Sequence, residues 1–201
     1  MNNGWFGGAE RNWSDKSMNK AWMWGKWGSV LLLLCSGFSA TAVPQDEDAL
    51  TGIREGFYAA VLDGDSTPVL LSKIERISAP PPLIQAYRGA AEALMARNQW
   101  NPFTAFRYLK LSRTTLTAAV AKDPGNIEIR FLRFAVQRNI PSYLGFSRNL
   151  DEDRDFIYRN LDQFHRPDLS PQIREYIMSF LAEQGGYTDL QVKHIREKMV
   201  P

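Results

Sequence analysis

The sequence predicts an all-α fold, an irregular array or bundle of seven or eight short antiparallel helices. Three observations carry this. Apolar residues recur at helical spacing from Leu50 to Ile195, nearly every break holds a helix start or stop signal, and no segment alternates in the way a half-buried strand does. The turns between helices are a few residues long, which makes neighbours antiparallel.

The elements follow in order. Asp46-Glu47-Asp48 places negative charge at a helix N-terminus, and Leu50, Ile53, Phe57 and Val61 follow as one apolar stripe. After Asp63-Gly64-Asp65, Thr67 is placed to cap and Pro68 to open a second helix on Leu70, Ile74 and Ile77. Pro80 to Pro82 launch a third through Leu83, Tyr87, Ala90, Ala91 and Leu94, with Arg88 and Glu92 four apart on the outside, ending near Arg97. Asn101-Pro102 repeats the cap-then-proline device before a long helix with Phe106, Leu109, Leu116 and Val120 inward and Arg107, Lys110 and Lys122 outward.

Asp123-Pro124-Gly125-Asn126 stops that helix. Residues 127–138 spread apolar side chains around most of a circumference, which predicts a central helix. Three more are expected: about Asp151 to Phe164 on Ile157 and Leu161, about Pro171 to Glu183 capped by Ser170, and a last one beyond Gly185-Gly186 through Val192 and Ile195.

The N-terminus reads as an address. Lys20 and Lys26 form a positive region, Val30 to Leu34 with Phe38 a short apolar one, and Ala40-Thr41-Ala42 a small-x-small cleavage pattern leaving Val43 first. Residues 1–42 are thus an extension plus signal peptide, with Met18 as a candidate start, and 43–201 a single α-helical domain. The expected location is exported, periplasmic or secreted. The alternative is an inner-membrane anchor from an uncleaved leader, or lipid on Cys35, although Leu34 stands where a lipoprotein signal needs a small residue.

Charge follows from that division. The chain carries formal net charge +2, and residues 1–42 hold four basic and two acidic side chains, so the remainder is neutral overall. No long-range field favours nucleic acid, and membrane contact is expected only through a retained leader or a lipidated Cys35. Cys35 is the only cysteine, so the domain holds no disulfide, thiolate nucleophile or cysteine metal ligand.

The stretch Ala119-Val120-Ala121-Lys122-Asp123-Pro124-Gly125-Asn126-Ile127-Glu128 resembles the junction between two tetratricopeptide repeats: Ala119 stands five before the turn proline Pro124, and Ser112 seven before Ala119. The resemblance covers about 30 residues, lacks the aromatic pattern of a preceding first helix and is not repeated at the family period of about 34. It implies a partly tetratricopeptide-like helical module. The leader and the segment DPGNIEIRFLRFAVQ together also resemble small exported helical proteins of Gram-negative bacteria, which implies an address and a fold.

Candidate chemistry is sparse. Asp63-Gly64-Asp65-Ser66-Thr67 matches the DxDxT string of haloacid-dehalogenase-like phosphatases, but helices flank it where that chemistry needs a strand end, so it reads as a turn. Asp151, Asp153 and Asp155 alternate like calcium-loop ligands, yet Phe156 replaces the required glycine and Asp162 the final glutamate, so they read as first-turn charge. His165 and His194 have no ligand partner in sequence. No metal, cofactor or catalytic residue is expected.

Arg130, Arg133 and Gln137 form one stripe on the apolar fifth helix. They either pair with carboxylates such as Glu92 or the Asp151 to Asp155 cluster, or bind a small anionic ligand beside Tyr143 and Phe146. Trp100, Phe103, Phe106 and Tyr108 cluster around the Asn101-Pro102 turn. Most such clusters are core, while Trp100, the sole tryptophan beyond the leader, is the first place to look for a partner-binding hot spot. The function these features favour is a non-enzymatic, protein- or peptide-binding adaptor of the cell envelope.

Overall fold

Polar caps and prolines set the helix boundaries in the computed structural model, which describes residues 45–199. The signal segment, its cleavage residues Ala40, Ala42 and Val43, Cys35 and Met18 lie outside the described residues. Eight α-helices and no strand occur among the described residues: α1 (Gln45–Leu62), α2 (Thr67–Glu75), α3 (Pro82–Arg97), α4 (Pro102–Lys122), α5 (Ile127–Asn139), α6 (Leu150–Arg159), α7 (Pro171–Gln184) and α8 (Asp189–Glu197). The fold class is all-α. None of these helices is long and apolar enough to cross a membrane.

The starts are built as the cap residues dictate. Asn101 accepts a hydrogen bond from the Phe103 N–H, Asn126 from those of Glu128 and Ile129, and Ser170 from Ile173, each satisfying a donor with no partner in the first turn. Thr188 and Gln191 form a reciprocal capping box at α8. Two boundaries differ from expectation. Thr67 does not cap α2; Asp63 instead caps a 3₁₀ turn at Gly64–Ser66 by accepting from the Asp65 N–H, and Thr67 is carried into the helix and buried. The expected Asp151 to Phe164 helix breaks after Arg159, where Asn160 ends α6 and a 3₁₀ turn, Leu161–Phe164, swings Leu161 and Phe164 into the core.

Two apolar clusters make the core. The first joins α1 to α4 around Tyr87, Leu94 and Leu116; the second joins α6 to α8 around Phe164, Ile177 and Leu181. Helices α3 and α4 approach closely at Gly89, which presents no Cβ: one placed there would lie 2.8 Å from Leu116 Cγ.

Helix α5 joins the clusters. Residues 127–137 are all buried. At 3.6 residues per turn, Ile129, Leu132 and Val136 share the face that enters the first cluster, and Ile127, Phe131 and Phe134 the face that enters the second. The central placement follows from an apolar circumference. Its polar residues occupy the two seams between these faces, Glu128 on one and Arg130, Arg133 and Gln137 on the other.

Candidate functional site

Both seams of α5 close on themselves. Asp153, from the first turn of α6, is fully buried and takes a two-pronged pair of bonds from Arg133, Nε to Oδ2 at 2.6 Å and Nη2 to Oδ1 at 2.7 Å. Arg130 donates to Asp153 Oδ1 at 2.9 Å, to Glu152 Oε1 at 2.5 Å and through Nε to the Pro124 carbonyl, and its guanidinium lies over the Phe156 ring. The hydrogen bond from Arg130 holds the Glu152 carboxyl below its ordinary range. Gln137 Oε1 accepts from the Asn149 backbone N–H. Of the two readings of this stripe, pairing with the Asp151 to Asp155 cluster is the one built. A ligand carboxylate would have to displace Asp153, which leaves a buried charge unpaired. Asp151 and Asp155 point outward to Arg154 while Asp153 points inward, so the three do not converge.

The opposite seam centres on Glu128, which is fully buried. Arg54 of α1 donates Nε to Oε1 at 2.8 Å and Nη2 to Oε2 at 2.7 Å, Tyr87 of α3 donates its hydroxyl to Oε1 at 2.5 Å, and Arg166 donates to Oε2. Arg54 also reaches the Asp168 carbonyl at 2.7 Å. Burial works to lower the Arg54 pKa, but the bonds and charge of Glu128 outweigh it and the net shift is upward. Burial, then the neighbouring Glu128 charge, pushes the Tyr87 phenol up, so it stays a donor. This seam has no counterpart among the sequence expectations; a lone glutamate inside an apolar helix was its only trace.

Helix α4 differs. Over 21 residues it carries Arg107, Lys110, Arg113 and Lys122 and no Asp or Glu. Arg107, Lys110 and Arg113 are exposed, form no salt bridge among the described residues, and lie near the rings of Tyr108, Phe106 and Phe146 instead. Between α4 and α2 runs an open groove of about 580 Å³ lined by Leu71, Glu75, Arg107, Tyr108, Lys110 and Leu111. Glu92 sits at its base, bonded by Thr115 at 2.8 Å and Arg88 at 3.0 Å; burial raises its pKa.

The aromatic cluster is where the core expectation is corrected. Trp100 is 94 % exposed, Phe103 86 % and Phe106 39 %, because the Asn101-Pro102 turn caps α4 with these rings on the outer side and Leu109 on the inner. Phe106, expected inward, is exposed on one side, with Lys110 over its ring, and meets Phe146 edge-on, ring centroids 5.6 Å apart. That contact lays the loop bearing the exposed Tyr143 against α4. Trp100 and Tyr143 are therefore surface residues, whereas Arg130, Arg133 and Gln137 belong to the buried seam.

Trp100 has company at its end of the array. Asn98 Nδ2 donates to the Gly64 carbonyl at 2.7 Å, and Arg97 donates to the carbonyls of Ala60 and Val61, which ties the α1–α2 turn to the α3–α4 turn. Leu62, 67 % exposed, and Val69 flank the exposed Asp63 and Asp65 there. Six of the eight large apolar residues exposed among the described residues, Leu62, Val69, Trp100, Phe103, Phe106 and Leu111, lie in α4 or around these two turns. Comparison with family models, curated proteins and solved structures returns no match to this chain.

Proposed function

We propose that this chain is an exported, non-enzymatic helical protein of the cell envelope that docks a protein or peptide through the end of the array carrying Trp100. One observation carries the reading: two large aromatic side chains, Trp100 and Phe103, stand almost wholly in solvent at a turn that hydrogen bonds pin to the turn following the exposed Leu62. Isolated exposed apolar residues are ordinary, but a cluster that includes Trp on a rigid support is the composition of binding hot spots. The non-enzymatic part rests on where the polar groups go. The buried charged residues of α5 bond to Arg54 of α1 and Asp153 of α6 instead of converging on an open cavity.

Export rests on the leader pattern from Ser29 to Ala42. The intact mass of the protein from the envelope fraction of its host is expected to begin at Val43; a mass retaining the leader would move the same surface to a membrane-anchored protein. Docking is tested by capture from that fraction with wild-type and Trp100→Ala/Phe103→Ala bait. A partner retained by the first and lost by the second is expected, and recovery of none, or of the same proteins by both, overturns the reading.

A further inference from the structure

We infer that the occupant of this end of the array is a second copy of the same chain, docked as a two-fold pair. The inference rests on the docking reading above and supplies its partner. The surface exposes Leu62, Trp100 and Phe103, with Asp63 and Asp65 on the α1–α2 turn that Arg97 bonds through the Ala60 and Val61 carbonyls, and with Arg107 and Lys110 further along the Phe103 stripe of α4, across the groove from Glu75. Asp63 and Asp65 flank Gly64, whose carbonyl Asn98 bonds; Arg107 and Lys110 stand one and two turns beyond Phe103.

A two-fold axis through these apolar residues brings the acidic turn of each copy onto the basic stretch of α4 in the other, so the patch complements itself. The area is of the right order. Burying a Trp and a Phe removes roughly 300–500 Å² per copy, a large part of the roughly 800 Å² per partner of a stable interface. An anionic lipid surface suits the cations of α4 but repels Asp63 and Asp65 at the same end, and an all-acidic partner meets the same repulsion.

The test is a charge exchange on the 201-residue chain, read by sedimentation velocity over concentration. One variant, Asp63→Asn/Asp65→Lys, makes the patch basic and keeps a capping oxygen at position 63; the other, Arg107→Glu/Lys110→Glu, makes it acidic. Circular dichroism melts establish that both fold. Wild type is expected to dimerise, each variant alone to bind itself at least about tenfold more weakly because like charges now face each other, and an equimolar mixture to recover the dimer because each contact is again opposite in sign. A third variant, Trp100→Ala, touches no charge and is expected to weaken every pairing.

A wild type that stays monomeric to about 100 µM overturns the inference, as does a dimer indifferent to the charge variants. A monomer that still captures a Trp100-dependent partner from the envelope fraction overturns only the second copy as occupant. A monomer that captures nothing removes the docking surface altogether.

Discussion

Helices α4 and α5 are consecutive and both rich in basic residues, yet their cations do opposite things. In α5, Arg130 and Arg133 are buried and every carboxylate oxygen of Asp153 is bonded to them. In α4, Arg107, Lys110 and Arg113 are exposed, lie near rings and form no salt bridge among the described residues. The difference comes from which face of each helix is apolar. A helix buried on two faces must place its charges in the seams, where desolvation forces them to pair; a helix buried on one face leaves its charges in water, where nothing does. Arginines that look most conspicuous in an apolar segment are therefore the ones already engaged, and those in an unremarkable amphipathic helix remain available.

The largest expected effect that would break this contrast is at Asp153. Asp153→Ala takes both short bonds from the buried Arg133 and leaves Arg130 only Glu152 and the Pro124 carbonyl, and chemical denaturation is expected to show a loss of about 3–5 kcal/mol; a loss under about 1 kcal/mol would mean that Arg130 and Arg133 swing to solvent and that α5 is no more committed than α4. Gln137→Ala removes one acceptor from the same seam and is expected to cost about 1 kcal/mol by the same measurement.

Acidity sharpens the comparison without removing a side chain's volume. Burial raises the Glu92 pKa, so its contribution to stability is present below its ordinary 4.5 and is lost as pH rises through the raised value. The Arg130 hydrogen bond lowers that of Glu152, so its contribution is present above 4.5 and is lost as pH falls. Stability differences between wild type and Glu92→Gln, and between wild type and Glu152→Gln, measured from pH 3 to 7, are expected to slope in opposite directions. Slopes of one sign would remove the distinction between a carboxylate whose burial outweighs its arginine bond, Glu92, and one whose arginine bond outweighs its burial, Glu152.

The smallest effect belongs to α4. Lys110→Ala and Arg113→Ala are expected to change stability by less than about 0.5 kcal/mol, since neither side chain has a carboxylate partner among the described residues. A cost above about 1 kcal/mol for either in a thermal or denaturant melt would show that the ring contacts with Phe106 and Phe146 hold that face together.

Much of the fold was legible because helix signals are local. Asn101-Pro102, Asn126 and Ser170-Pro171 start helices through bonds within three residues, and the stripes through Leu50, Ile53 and Phe57 or Leu83, Tyr87 and Ala90 mark buried faces by period alone. The segment from Asp151 to Phe164 reads as one helix for the same reason: Ile157, Leu161 and Phe164 keep helical spacing through a 3₁₀ turn, and periodicity does not register the change of geometry at Asn160.

The sequence by itself determined an all-α chain, a central apolar fifth helix, and the types of residue able to form ion pairs. Tertiary structure decided which pairs formed. Arg54 and Glu128 are 74 positions apart and Arg133 and Asp153 are 20, so their meeting depends on how α1, α5 and α6 cross. The same holds for the exposure of Trp100. An aromatic beside a capped turn satisfies the local rules equally well inside or outside, and it is tertiary bonds, from Asn98 to Gly64 and from Arg97 to Ala60 and Val61, that set that turn beside the α1–α2 turn with Trp100 exposed. Helix propensity acts over a few residues, whereas burial and desolvation act on whatever the packing brings together.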